Sequence, residues 1–224
     1  MIVSKSIRCW WLRAMAVLAL AGVAPAGAQT GRQFYAAPGG IPSNDGSLAR
    51  PLDLATALSA SSPLRAGDTL WLRGGRYVGN FTSVISGTPS APIVVRQYFG
   101  ERATLDAATA NRVDPALSVR GADVWFWGFE VTDSTLARQT SNYGADPKRG
   151  TSVDVTGART RFINMVVHDG AVGFGFWTPA VDAQIYGSII ANVGVEASDR
   201  GHGHSIYVQK DAGAKRIVDN FLLY

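Results

Sequence analysis

The chain has 224 residues, 46% of them hydrophobic and 17% charged, with a formal net charge of +4. That composition excludes a disordered chain, which combines low hydrophobicity with high charge. Blocks of Lys, Glu, Ala and Leu at helical spacing are scarce, which excludes a coiled coil or helical bundle, and Gly, at 25 residues, exceeds the ~7% usual in globular proteins.

Residues 1–28 read as a secretory signal peptide. Lys5, Arg8 and Arg13 make a basic start, an apolar run covers Ala14 to Ala24, and Ala26-Gly27-Ala28 supplies small residues for cleavage. The run is shorter than the ~20 residues needed to span a bilayer. The expectation is a secreted or periplasmic protein with no membrane anchor after cleavage, its domain covering residues 29–224. Without the leader, 18 basic residues face 17 acidic ones, which removes the argument for nucleic-acid binding. The one cysteine, Cys9, leaves with the leader. Thiol catalysis, disulfides and thiolate metal sites are thereby excluded from the remainder.

Gln29 to Gly46 is polar and rich in Gly and Pro, and reads as an extended opening segment. Asp53 before Leu54, Ala55, Ala57 and Leu58 predicts a short helix with Asp53 as its N-cap. Arg65-Ala66-Gly67-Asp68 reads as a turn. Thr69 to Arg73 follows as a strand, with Leu70 and Leu72 on one face, and Gly74-Gly75 breaks it. Pro92 to Tyr98, led by Ile93, Val94 and Val95, is a further strand.

From Leu117 the chain repeats. Leu117 to Val131 aligns with Val153 to Val167: a short strand, a Gly turn, a strand ending at Gly128 or Asn164, then a third strand. Phe176 to Ile190 repeats the pattern with Gly187 as marker, and Ile206 to Leu223 with Asn220. Gly and Asn tolerate the left-handed backbone of a sharp turn. Repeats in this size range point to a solenoid, here of three-strand coils whose apolar alternation faces inward. The Asp53 to Ser59 helix is placed to cover the first end, since open strand edges aggregate. Tyr224 falls inside an apolar strand with no cap after it, which leads to the expectation of an N-terminal part of a longer protein.

These features resemble the right-handed parallel β-helix of the pectate-lyase-like superfamily, an all-β fold. Phe34-Tyr35-Ala36-Ala37-Pro38-Gly39-Gly40 is similar to the opening of its members. Arg65 to Tyr77 and Ser86 to Arg96 are similar to segments that recur in its exported ones. The resemblance specifies fold rather than activity, because this architecture carries lyases, hydrolases, epimerases, adhesins and inert stalks.

Coil alignment indicates which residues point outward. With Leu117, Val119, Val153, Val155, Ile206 and Val208 inward, Ser118, Asp154 and Tyr207 face out. With Phe174 and Phe176 inward, Trp177 faces out. Asp154, Trp177 and Tyr207 are therefore expected in one outward row at the ~4.8 Å spacing of stacked strands. A carboxylate beside two rings suits a polysaccharide partner. The long loops, Thr132 to Gly150, Asp169 to Gly173 and Asn192 to Gly203, all fall at one corner next to that row. In the resembling lyases this corner is part of the substrate cleft.

The densest polar cluster is Asp199-Arg200-Gly201-His202-Gly203-His204, with Lys210 after the Tyr207 strand. Histidines at i and i+2 in extended chain can face one way, and histidine serves as a base near neutral pH. The same pair could join Asp199 or His168 on a metal, although zinc requires three or four ligands. Uronate β-elimination needs a cation to neutralise the sugar carboxylate and a base to take the adjacent proton. Lys210 or His204 as base and Arg200 as neutraliser fit that chemistry. No Asp cluster dense enough for a Ca²⁺ cage is present, a departure from calcium-dependent lyases that leaves Ca²⁺ an open cofactor. A hydrolase would instead use two carboxylates, such as Asp154 with Asp199 or Asp169. The non-enzymatic alternative is a carbohydrate-binding or surface stalk.

Overall fold

The structure, a computed structural model, describes residues 31–108, 113–146 and 148–223. The expected leader, Cys9 and Tyr224 lie outside these residues. Almost all regular structure is β, and three parallel sheets run the length of the described chain as the walls of a three-sided column. The first wall stacks seven strands in the order Gln33–Ala36, Thr69–Leu72, Ile93–Gln97, Val124–Trp127, Arg161–Ile163, Gln184–Tyr186 and Arg216–Val218. The second stacks Gly75–Val78, Ala103–Asp106, Glu130–Thr132, Val166–His168, Ile189–Ala191 and Phe221–Leu223. The third stacks Phe81–Ser83, Leu117–Val119, Thr151–Val155, Val172–Phe176 and His204–Val208. From Thr69 on, each complete coil passes through one strand of each wall, so the expected parallel β-helix is the fold observed.

The alternation that sets this up is in the residues. Leu117, Val119, Val153, Val155, Phe174 and Phe176 are all buried, and their registers pair Val153 with Leu117 and with Phe174. Inward aromatics form a column of their own. Phe126 stacks on Phe162 at 5.3 Å between ring centroids, Phe162 meets Phe174 edge-on at 5.2 Å, and Phe174 stacks on Phe176 at 5.7 Å. Rings from successive coils thus pack on one another inside a core otherwise made mostly of Leu, Ile, Val and Ala.

Left-handed residues make the corners. Between the first and second walls they are Gly128, Asn164, Gly187 and Asp219. The fourth marker was expected at Asn220, but the pairing of Tyr186 with Val218 puts Asp219 in register with Gly187. Asn220 instead accepts from Ser188 N–H at 2.9 Å and donates to the Ile185 carbonyl at 3.2 Å. Gly187 has a second reason to be glycine: a Cβ there would sit 2.4 Å from Asn164 Oδ1. The corner between the third and first walls uses Asp123, Arg159, Asp182 and Gly213 in the same way. Carboxylate and guanidinium tips do not announce that conformation in sequence, so this ladder is not readable by eye.

The coils also begin earlier than the repeat pattern shows. Gln33–Ala36, within the segment read as an extended opening, pairs in register with Thr69–Leu72, and Gly75 starts a strand rather than only ending one. The helix is Leu54–Leu58, with Asp53 capping Thr56 N–H at 2.9 Å. Leu54, Ala57 and Leu58 are buried, and the Leu58 carbonyl accepts from Val84 N–H just past the first strand of the third wall. The helix therefore covers that end, as expected.

Phe162 sits at the centre of the ring column and is fully buried. Phe162→Ala is expected to cost ~3–5 kcal/mol, the usual range for emptying an aromatic site. Equilibrium denaturation in urea reads it directly, and a loss below ~1 kcal/mol would show that the coils collapse onto the gap.

Candidate functional site

The third wall and the loop corner beside it hold the polar groups singled out by sequence. Asp154 lies opposite Ser118 on one side and Gly175 on the other, and Gly175 lies opposite Tyr207. Trp177 is two residues beyond the register position, so glycine occupies the middle of the row. The indole reaches back over it: a Cβ on Gly175 would touch Trp177 Nε1 at 3.4 Å and Asp154 Oδ1 at 3.5 Å. Trp177 Nε1–H donates to Asp154 Oδ1, and the Trp177 and Tyr207 rings lie 5.4 Å apart. The three side chains are contiguous, though not by the spacing of the strands alone.

Asp154 is half-buried, and burial raises its pKa above the ordinary carboxylate value; the Trp177 hydrogen bond and the charge of Arg120 only partly oppose this. At the far end of the row, Gln209 Nε2–H donates to Tyr207 Oη at 3.3 Å and its Oε1 accepts from Thr178 at 3.4 Å. Lys215 donates to the Thr178 and Gln209 carbonyls. Burial, aided by the charge of Lys210, lowers the Lys215 pKa.

The histidines part company. His202 ends the short strand Gly201–His202, stacks on Tyr143 at 4.2 Å and shares Nε2 with both oxygens of Asp199 at 3.1 and 3.2 Å. His204 starts the last strand of the third wall and lies 5.6 Å from the Tyr207 ring. Between them Gly203, at φ +129°, interrupts the extended alternation that would have aimed both one way. Arg200 is exposed and approaches Asp199 at 3.9 Å. Lys210 is not brought to this cluster. It follows the strand His204–Val208, which alone advances roughly 13 Å, so Lys210 stands at the opposite end of the row from Asp199, Arg200 and His202.

The loop corner is a built groove of about 830 Å³, with Arg138, Gln139, Asn192, Glu196 and His202 among its lining. A small sheet holds its two sides, Gln139–Thr140 pairing with Val195–Ala197, which pairs antiparallel with Gly201–His202. Arg149 lies in the first long loop, at the corner that the resemblance makes part of a cleft. It is buried at 3% exposure and donates to the carbonyls of Asp133, Thr135, Ala137 and Asp169. Its guanidinium is the internal clamp of the first long loop.

Beneath this groove the structure joins His168 and Asp169, considered in sequence as a metal ligand and a hydrolase carboxylate, to Glu130, which sequence reasoning passed over. On the outer face of the second wall, His168 Nε2 meets Glu130 Oε1 at 2.9 Å and Nδ1 meets Asp169 Oδ2. Glu130 also accepts from Arg102 and Thr104. Asp169 also accepts from Arg138, and from Asn192 at 2.7 Å. The available signal was period-two alternation, which puts Glu130 and His168 outside Val131 and Val167. For His168, burial acts to lower the pKa, but the bonds to Glu130 and Asp169 outweigh it and the net shift is upward. For Glu130, burial acts to raise the pKa, and the hydrogen bonds from Thr104, Arg102 and His168 bring it below the ordinary value.

These carboxylates are engaged by cations and N–H donors, which is a poor donor set for a calcium ion. Among the described residues no group of three or more His, Cys, Asp or Glu side chains is arranged to hold a metal.

No protein-family model matches the chain. A pectate lyase, PEL9, from Emericella nidulans is 32% identical over 127 residues, which is 49% of this chain and 30% of that protein. The solved structure of pectate lyase Pel9A superposes with a TM-score of 0.52 and 22% identity over 74% of this chain and 49% of its own. A rhamnogalacturonan lyase superposes at 0.61, with 16% identity over 85% of this chain and 56% of its own. The chain shares the parallel β-helix fold of these structures. A lacto-N-biosidase from Eubacterium ramulus shares the fold at 0.57, with 16% identity over 84% of this chain and 41% of its own. The chain spans under a third of the curated relative and about half of the two lyase structures.

The His168 cluster makes the groove pH-sensitive. Its folded pKa lies above the ordinary 6.5, so its contribution is complete below that value and is lost as pH rises through the folded pKa. Glu130 lies below the ordinary 4.5, so its contribution is complete above that value and is lost as pH falls through its folded pKa. Thermal melts followed by circular dichroism are expected to show Tm falling from about pH 6 to about pH 9, and His168→Gln to flatten that fall. An equally steep fall in the variant would remove His168 as its source.

Proposed function

We propose that this chain is part of an exported polysaccharide-active protein, a lyase that cleaves an acidic, uronate-containing polymer by β-elimination. The observation that carries the reading is the Asp154–Trp177–Tyr207 row beside the loop groove, in a chain whose sequence relative is named a pectate lyase. Indole and phenol rings stack on the C–H faces of sugars, and Asp154 accepts from their hydroxyl groups. In β-elimination a base removes the proton next to the uronate carboxylate, a C=C bond forms, and the bond to the leaving glycosidic oxygen breaks. His204 is the candidate base at the groove end, with Arg200 to neutralise the sugar carboxylate and Asp199 and His202 lining that end. Lys210, beside Lys215 with its lowered pKa, is the candidate base at the other end. Export rests on the basic-then-apolar leader. Among the described residues no helix is long and apolar enough to cross a membrane.

A glycoside hydrolase is the second reading, favoured by one observation. Asp154, raised by burial, has the property required of a general acid.

The complete protein, incubated with pectate, rhamnogalacturonan or alginate, is expected to release unsaturated ends seen as ultraviolet absorbance. Loss of the true base is expected to lower kcat about 100-fold or more. Comparing His204→Ala with Lys210→Ala therefore identifies which end of the row carries it. Trp177→Ala is expected to raise KM more than it lowers kcat. New reducing ends without absorbance select the hydrolase, and no product from any of these polymers overturns the lyase.

A further inference from the structure

The outer face of the first wall carries a regular pattern that the row on the third wall does not use. Arginines stand on every second strand: Arg96 on the third, Arg161 on the fifth and Arg216 on the seventh. Aromatic residues lie between them. Trp71 is in register with Arg96, Arg96 with Trp127, and Trp125 with Arg161. Arg161 in turn is in register with Gln184, and Gln184 with Arg216.

Rings lie against the guanidinium groups of Arg96 and Arg161. Arg96 lies 4.2 Å from the Trp127 centroid, 4.8 Å from Trp71 and 5.3 Å from Phe99, while Arg161 lies 4.6 Å from Trp125. Cation–π contact orients a guanidinium without spending its charge. Nor is that charge spent elsewhere. The neighbouring acids are committed, Asp123 to a two-pronged bond from Arg159 at 2.8 Å and Asp182 to the Ala214 N–H. Among the described residues none of Arg96, Arg161 and Arg216 forms an ion pair with a carboxylate, and Arg96 Nε is buried with no hydrogen-bond partner. A shallow cleft of about 370 Å³ follows Trp125, Arg161, Gln184 and Arg216.

The spacing identifies the partner. Arg161 and Arg216 share one register line through Gln184, two strands and so roughly 10 Å apart, while Arg96 stands two strands before Arg161 and two residues further along its strand, in register with Trp127 rather than Trp125. An extended glycan with two-fold symmetry presents the same edge at every second sugar, close to this interval. We infer that the first wall is a second, non-catalytic binding surface for an anionic polysaccharide, whose chain follows the cleft along the column axis with alternate carboxylates on Arg161 and Arg216 and continues obliquely past the Trp125 and Trp127 rings to Arg96. The surface is on a different wall from the proposed catalytic row, so it would hold polymer while that row works.

The test is affinity electrophoresis of the complete protein in gels containing polygalacturonate, polymannuronate or a neutral galactan. Retardation is expected in the two anionic polymers, weakening with added salt, and not in the neutral one. The triple substitution Arg96→Gln, Arg161→Gln, Arg216→Gln is expected to weaken binding at least tenfold while leaving turnover of short oligomers unchanged. Arg161→Gln with Arg216→Gln, at exposed positions, covers the case in which loss of Arg96 unfolds the wall, and is expected to weaken binding severalfold. Trp177→Ala is expected to keep the retardation. Wild-type retardation in the arginine variants, equal retardation by the neutral polymer, or concentration-dependent dimerisation abolished by the same substitutions would each overturn the proposal. Because retardation is read apart from absorbance, a protein that binds without cleaving removes the lyase reading and leaves this surface standing.

Discussion

Parallel strands joined residue to residue leave no freedom in where their outward side chains fall. Once Val153 pairs with Leu117 and Phe174, Asp154 must stand beside Ser118 and Gly175 on the opposite face. A slip of one residue would turn every apolar side chain out of the column and every polar one into it. The buried ring stack makes that slip costly, since Phe126, Phe162 and Phe174 fit only where their coils present them together. Core and surface are therefore one constraint seen from two sides. The rings that hold the register also place the acid, indole and phenol of the third wall and the arginines of the first.

Loops at the third corner escape this constraint, and the molecule supplies another. Arg149 draws four carbonyls of one loop and the adjoining coil to a single guanidinium. Asp169 ties the same region to Arg138 and Asn192, and through His168 to Glu130 on the second wall. A buried arginine bonded only to carbonyls remains charged because those dipoles replace its water, although burial still lowers its pKa. The groove above it is accordingly a fixed shape on a fixed wall.

The fold was legible because its signal is repetitive. Apolar alternation recurs coil after coil, and Gly or Asn recurs at one turn. Where a turn used Asp219, Asp123 or Arg159 in left-handed backbone, nothing in the residue type gave it away. The row on the third wall was legible in part. Alternation turned Asp154 and Tyr207 outward, but the place of Trp177 depends on Gly175 having no side chain, which is a packing fact. The histidine cluster was the least legible feature. His202 and His204 are neighbours in sequence, yet one positive-φ glycine sends them to different partners. His168, Glu130 and Asp169 become a unit only once loop lengths of differing size have been absorbed and the second wall has closed.

The same scaffold accommodates lyases and a glycosidase, so the walls do not decide the chemistry; the charge around the bond does. Elimination requires a positive environment, because the proton removed becomes acidic only when the adjoining carboxylate is neutralised. Hydrolysis requires a carboxylic acid kept protonated and a second carboxylate across the bond. Both tendencies meet on the third wall, where Asp154 is driven toward its neutral form by burial while His204, Arg200, Lys210 and Lys215 stand at the two ends of the row. Burial raises the Asp154 pKa while the Trp177 N–H bonded to its Oδ1 and the charge of Arg120 oppose that rise. In the proposed lyase the cations at the ends of the row would be the groups that favour an anionic substrate, and in the hydrolase reading the raised Asp154 pKa is the direction that acid catalysis needs.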